Sequence, residues 1–210
     1  MKGATENEKL ELIGFNYFDF NGATSDHLST NIGKKVNLPA PQNENTRLQL
    51  TFEDGKTVAY TPLQFHFHAP SEHTVNGKHY DLEVHFVHKV QGTGLGDNKM
   101  ELGAVIGIFF DVEEGGDQDN TFIKSVFEAL ETTGAAEKKN VALRNFLNTV
   151  DFGAYWSYPG SLTTPPCTEG INWSVVKHVQ PISKAQLAKF TELLADDIAF
   201  AGGNGNNRAV

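Results

Sequence analysis

Six of the chain's eight histidines, His66, His68, His73, His79, His85 and His88, lie within "LQFHFHAPSEHTVNGKHYDLEVHFVHK", residues 63–89. Imidazole is the commonest metal ligand among side chains and titrates near neutral pH. His66 and His68 stand two residues apart, the spacing that puts both on one face of a strand. Phe65 and Phe67 then face the other way, into apolar packing. Along "LEVHFVHK", Glu83, His85 and Val87 share one face, and Val84, Phe86 and His88 share the other. One register of two neighbouring strands therefore lets His66, His68 and His85 converge. Three imidazoles with an open fourth position are the ligand set of a catalytic zinc site; a closed structural site wants cysteines, and the chain has one. Metal-bound imidazole needs its second nitrogen held by an outer partner. Gln64 and Glu83 each lie two residues from a proposed ligand, on the same face, and can serve. The plainer alternative is a His-rich exposed hairpin. The third face-matched His and its polar neighbours favour the metal. His73, His79 and His88 are expected as surface or second-layer residues and not as ligands.

The elements that must position these groups are mostly strands. "TRLQLTFEDGKTVAYTPLQFHFH" reads as two alternating runs around Asp54-Gly55, and "EHTVNGKHYDLEVHFVH" repeats the device with Asn76-Gly77. The second turn brings the His85 strand back beside the His66 strand. "ELGAVIGIFFDV" is an apolar run short enough for a strand buried on both faces, and "INWSVVKHV" reads as a further strand. "NTFIKSVFEALETTG" has helical periodicity, with Phe122, Ile123, Val126, Phe127 and Leu130 on one side and Gly134 as its end. "SKAQLAKFTELLA" is a second helix with Ser183 as N-cap and Leu187, Phe190, Leu193 and Leu194 as its stripe. A short third helix fits "VALRNFLN". The Gly/Asn-rich "FAGGNGNNRAV" reads as loop or tail. The expected fold is mainly β with peripheral helices.

The chain has 210 residues, enough for one domain with a sizeable core. A net charge of −9 offers no basic footprint for nucleic acid. No apolar run reaches the roughly 20 residues of a membrane span. The opening "MKGATENEKLELIG" lacks the apolar stretch of a secretory signal. Cys167 has no partner for an internal disulfide.

"H-x-H-x3-E", here His66, His68 and Glu72, resembles the first cupin motif. The second motif is missing: no P-x-G precedes His85, and Lys89 stands four residues after it. A fuller resemblance covers most of the chain. "QFHFHAPSEHTVNGKHYDLEVHFVH", followed downstream by "YWSYPGSLTTPPCTEGINW", is similar to the α-class carbonic anhydrases. That resemblance implies a large, mostly antiparallel central sheet and zinc-dependent reversible hydration of CO2 to bicarbonate and a proton. By position it implies Zn2+ ligands at His66, His68 and His85, with outer partners at Gln64, Glu83 and a backbone carbonyl of Asn206. It places the family's gatekeeper hydroxyl on Thr163, which would orient the nucleophile and pass its own hydrogen bond to Glu72. Thr164 would line the polar side. The apolar pocket for CO2 would be Val87, Val105, Leu162, Ile171 and Trp173. Sulfonamides and anions are the inhibitors to expect.

The sequence departs from the family in three places. The cavity-wall His that ferries protons falls on Lys34, in "NIGKKVNL"; a Lys with its ordinary pKa near 10.4 relays protons poorly at neutral pH. Proton transfer is therefore expected to limit turnover, unless burial retunes Lys34 or His27 substitutes. The family's N-terminal segment and last C-terminal strand have no counterpart, so residues 1–210 read as a single domain shortened at both ends, with sheet edges that a partner chain could cover. Cys167 falls where exported relatives carry a disulfide partner, whose mate would lie in the missing N-terminal part; this points toward secretion or an organelle lumen. A second reading is a carbonic-anhydrase-like structural or binding module within a larger assembly. Such relatives lose a ligand His, and this chain keeps all three.

Overall fold

The computed structural model describes residues 5–7, 20–23, 35–37, 48–51, 55–90, 103–130, 139–164 and 166–194. Among these, the strands are β1 (Thr5–Asn7), β2 (Phe20–Ala23), β3 (Lys35–Asn37), β4 (Leu48–Thr51), β5 (Thr57–His68), β6 (Thr74–Val75), β7 (Lys78–His79), β8 (Leu82–Val90), β9 (Gly103–Phe110), β10 (Lys139–Val141), β11 (Tyr155–Ser161) and β12 (Glu169–Gln180). The helices are α1 (Thr121–Leu130), α2 (Leu143–Leu147) and α3 (Lys184–Leu194). Lys34, His27, Gly134, Asn206 and the expected C-terminal tail lie outside the described residues.

One eight-stranded sheet dominates, in the order β1-β11-β12-β9-β8-β5-β3, with β4 also paired to β5. Every pairing in it is antiparallel except β9 with β12, which is parallel. A parallel pair needs a long crossover. Here the chain between the two strands passes through α1, α2 and β11. The β4–β5 hairpin turns at Gly55, whose φ of +80° suits a residue without Cβ. The small β6–β7 hairpin turns on Asn76 and Gly77, at φ 53° and 80°, the left-handed pair that a two-residue turn demands.

The sheet has two different faces. On one, Phe65 and Phe67 of β5, Val84 and Phe86 of β8, Ile106 and Ile108 of β9 and Val176 of β12 join Phe122, Ile123 and Val126 of α1 and Phe190 of α3 in the main core. Each fully buried large apolar side chain there contributes roughly 1.5–3 kcal/mol. Ser183 caps α3, its Oγ accepting the N–H of Gln186 at 3.2 Å. The other face carries a smaller cluster of Tyr80, Val105, Phe109, Ile171, Trp173 and Val175. All eight residues of β9 are buried, as its unbroken apolar run requires.

A register shift in β5 decides which residues reach which face. Pro62 pairs with His88 and Gln64 with Val87, so Leu63 is passed over and stands 38% exposed. Before this bulge the core side takes Val58, Tyr60 and Pro62; after it, Phe65 and Phe67. The extra residue thus moves odd-numbered positions onto the core and frees even-numbered His66 and His68 for the opposite face.

Candidate metal centre

Beyond the bulge, β5 and β8 run in register with His66 directly opposite His85 and His68 opposite Glu83. Side chains of directly opposed residues share a face. Ligand atoms of His66, His68 and His85 all lie within 4.8 Å of one another. The rings of His68 and His85 are 4.4 Å apart between centroids, and those of His66 and His85 are 5.2 Å apart.

Each imidazole has a distinct setting. His66 Nδ1 donates to Gln64 Oε1 at 2.9 Å, which leaves Nε2 as the lone-pair nitrogen. His68 is buried; desolvation, and then the neighbouring His85, hold its pKa well below 6.5, so the ring stays neutral, the form a metal accepts. His85 is fully buried, and neither ring nitrogen makes a well-formed hydrogen bond among the described residues. Its Nε2 is 3.0 Å from Glu83 Oε1, close but off the hydrogen-bond line, while Nδ1 stands 3.9 Å from Glu72 Oε2. A buried imidazole left so incompletely satisfied is destabilising unless something else takes its lone pair. That orphaned nitrogen, within reach of two further imidazoles, fits a resident cation. All-nitrogen donors suit zinc rather than calcium or magnesium.

Glu83 is the hub of the outer layer. Its carboxylate is fully buried and accepts the His73 backbone N–H at 3.0 Å and the His73 Nδ1–H at 2.6 Å. Burial pushes its pKa up, but His73 and His85 outweigh that and hold it well below the usual carboxylate range. The reciprocal effect raises His73: burial opposes its charged form, and Glu83 more than compensates. His73 Nε2 meets the Tyr158 hydroxyl at 2.6 Å. Ligand atoms of His73, Glu83 and His85 also lie within 4.8 Å of one another, but His73 and Glu83 are already hydrogen-bonded to each other.

Glu72 lies against the same histidines, its Oε2 3.5 Å from His68 Nε2. Trp173 stands edge-on over His85, ring centroids 4.7 Å apart, and its Nε1–H donates to the Ser161 carbonyl at 3.0 Å. Val105 and Ile171 are buried beside it, and Val87 and Leu162 pack partly buried against them. The structure thus brings Val87, Val105, Leu162, Ile171 and Trp173 into one apolar patch on the face that carries the histidines. Thr163 and Thr164 are half-buried in the turn after β11.

Burial sorts the remaining histidines more finely than their sequence does. His79 is exposed on its hairpin. His73 belongs to the second layer. His88, expected at the surface or in that layer, is instead 1% exposed on the core face of β8, with Nδ1 3.3 Å from the Ala104 carbonyl. The reason is the alternation of β8 itself: His88 follows Val84 and Phe86 onto the core side. Sequence reasoning missed Tyr158 altogether. It comes from 85 residues downstream of His73, and only its place within "YWSYPG", in the block that carries the family resemblance, could have marked it.

A large, mostly antiparallel sheet that gathers three imidazoles beside an apolar patch defines a β protein with a histidine triad that could hold a metal ion. The chain belongs to the eukaryotic-type carbonic anhydrase family, whose model matches residues 2–208. It is 39% identical over 168 residues to a carbonic anhydrase of Klebsiella pneumoniae, covering 78% of this chain and 60% of that one. The chain spans about 60% of the length of the curated relatives it matches. Among solved structures, a halotolerant carbonic anhydrase from Dunaliella salina superposes with a TM-score of 0.66 at 27% identity, covering 96% of this chain and 74% of that one. A carbonic anhydrase from Chlamydomonas reinhardtii in complex with acetazolamide superposes at 0.60 and 28% identity, covering 90% and 76%.

Proposed function

We propose that this protein reversibly hydrates CO2 to bicarbonate and a proton, with zinc held by His66, His68 and His85. The observation that carries the proposal is the convergence of three imidazoles, with ligand atoms within 4.8 Å, next to the apolar Val105–Ile171–Trp173 patch. CO2 is apolar and weakly electrophilic, so it needs an apolar berth beside a strong nucleophile. Bound zinc supplies Lewis acidity and brings the pKa of a coordinated water to about 7, a magnitude established on carbonic anhydrases themselves.

The chain's own residues do the rest. Gln64 holds His66 Nδ1–H, which aims Nε2 inward. Glu83, kept anionic by His73, stands against His85 Nε2 and favours Nδ1 as the ligating atom. An Asn206 carbonyl would serve His68 in the same way. Thr163 would accept a hydrogen bond from the nucleophile and donate its own to Glu72, fixing the direction of attack, and Thr164 would line the polar side. Val87, Val105, Leu162, Ile171 and Trp173 exclude water and seat CO2. Lys34 would stand on the proton's way out and slow it. Sulfonamides and small anions would compete at the open position, as the acetazolamide-bound relative suggests.

The test is a zinc determination paired with a CO2-hydration assay on the same preparation. One zinc per chain is expected, with hydration that is abolished by chelation and inhibited by acetazolamide. Stoichiometric zinc without hydration would leave a metal-binding module instead, and no zinc at all would remove the proposed centre.

A further inference from the structure

Gly107 sits at the middle of β9, directly opposite His85 on β8 and Val175 on β12. A glycine inside a buried strand weakens it, and in such a position it usually marks a close approach by another group. Here the approaching group is identifiable. A Cβ built on Gly107 would lie 2.8 Å from Glu83 Oε1, 3.6 Å from Val175 Cγ2 and 3.8 Å from His85 Cδ2. Only the first of these is closer than packing allows. The same Oε1 receives the 2.6 Å bond from His73 Nδ1–H and makes the 3.0 Å contact with His85 Nε2.

We propose that Gly107 is a positioning residue: its missing side chain is the space in which the Glu83 carboxylate is held between His73 and His85. The neighbouring site-face residues of β9, Val105 and Phe109, both carry buried apolar side chains. The gap at Gly107 therefore lies on the one position of β9 paired with the proposed ligand His85. Glu83 has nowhere else to yield. Its other oxygen is tied to the His73 backbone N–H at 3.0 Å, and the residue is wholly buried. Even a methyl group at position 107 would push Oε1 off line, loosening His85 and the bond to His73 together. The consequence for zinc rests on the reading above; the steric coupling of Gly107 to Glu83 does not.

A four-protein cycle tests it: wild type, Gly107→Ala, Glu83→Ala and the double variant. Gly107→Ala should weaken zinc binding, measured by chelator competition, about 10–100-fold, the range for losing an outer-layer partner. In the Glu83→Ala background the same methyl should change zinc affinity by less than about twofold. In zinc-free protein, the downfield proton resonance of His73 Nδ1–H should shift or vanish in Gly107→Ala. The thermal midpoint lost to Gly107→Ala should not be lost again in Glu83→Ala. An alanine that does equal damage in both backgrounds, or none in the wild type, overturns the proposal. Should Gly107→Ala fail to fold, the double variant decides: folding supports the coupling, while failure where Glu83→Ala alone folds refutes it. Glu83→Asp, which draws the oxygens back while keeping an acceptor for His73, provides a second background. A wild type that binds no zinc would sink the metal reading, yet the zinc-free measurements would still judge Gly107.

Discussion

Side chain by side chain, burial gives the clustered histidines different chemistry. His88 is the clearest case away from the proposed centre. Burial on the core face lowers its pKa to about 4, with the Ala104 carbonyl opposing only in part. Its unfolded value is about 6.5. Above pH 6.5 both states are neutral and His88 adds nothing to the pH dependence. Between 6.5 and 4 the unfolded chain binds a proton that the fold refuses, so stability falls as pH falls, by roughly 3 kcal/mol in total. His88→Gln should flatten the dependence of the thermal midpoint on pH across that window. A slope identical to wild type would assign the acid loss to other groups. The convergence of His66, His68 and His85 was readable in the sequence because a period of two converts spacing directly into facing. The His73–Tyr158 contact was not, because nothing local ties residues 85 positions apart. In β8, His88 follows Val84 and Phe86 onto the core side, because alternation places a strand residue whatever its polarity favours.

At the level of elements, the strands and helices were legible where local chemistry is strong. The two Gly-containing turns, the apolar β9 run and the Ser183 cap each state their structure within a few residues. Ser183→Ala removes the acceptor for the Gln186 N–H and should destabilise the protein by about 1 kcal/mol in chemical denaturation. An unchanged midpoint would mean that the Gln186 side chain, which bonds both the N–H and the carbonyl of Asn120, holds the start of α3 by itself. The parallel pairing of β9 with β12 could not be read locally. It depends on the whole path through α1, α2 and β11, and the sequence of either strand would suit a parallel or an antiparallel neighbour.

On the scale of the whole molecule, the proposed zinc and the fold would share one equilibrium. The proposed ligands come from two strands that meet only in the folded sheet, so the unfolded chain lacks the site and bound metal adds to stability by mass action. At free zinc a hundredfold above its Kd the gain is about 2.7 kcal/mol, or about 5–10 °C for a chain of this size. Calorimetry with and without a chelator should show that difference, and it should disappear in His85→Ala. Equal midpoints with and without zinc in the wild type would mean that the cation does not bind the native state preferentially.

The bulge at Leu63 sets a rule about how this chain can change length. A strand is an alternating code, and Leu63 is the single symbol that shifts its phase. Loss of that one residue would run core-facing Pro62 straight into Gln64 and close the bulge, leaving Phe65 and Phe67 on the core and His66 and His68 opposite. Loss of Leu63 together with Gln64 would exchange the two faces from position 65 onward, sending the phenylalanines toward the pocket and the histidines into the oily side. The strand therefore carries one spare residue before His66 and no more, so the count there matters to this protein as much as the identities.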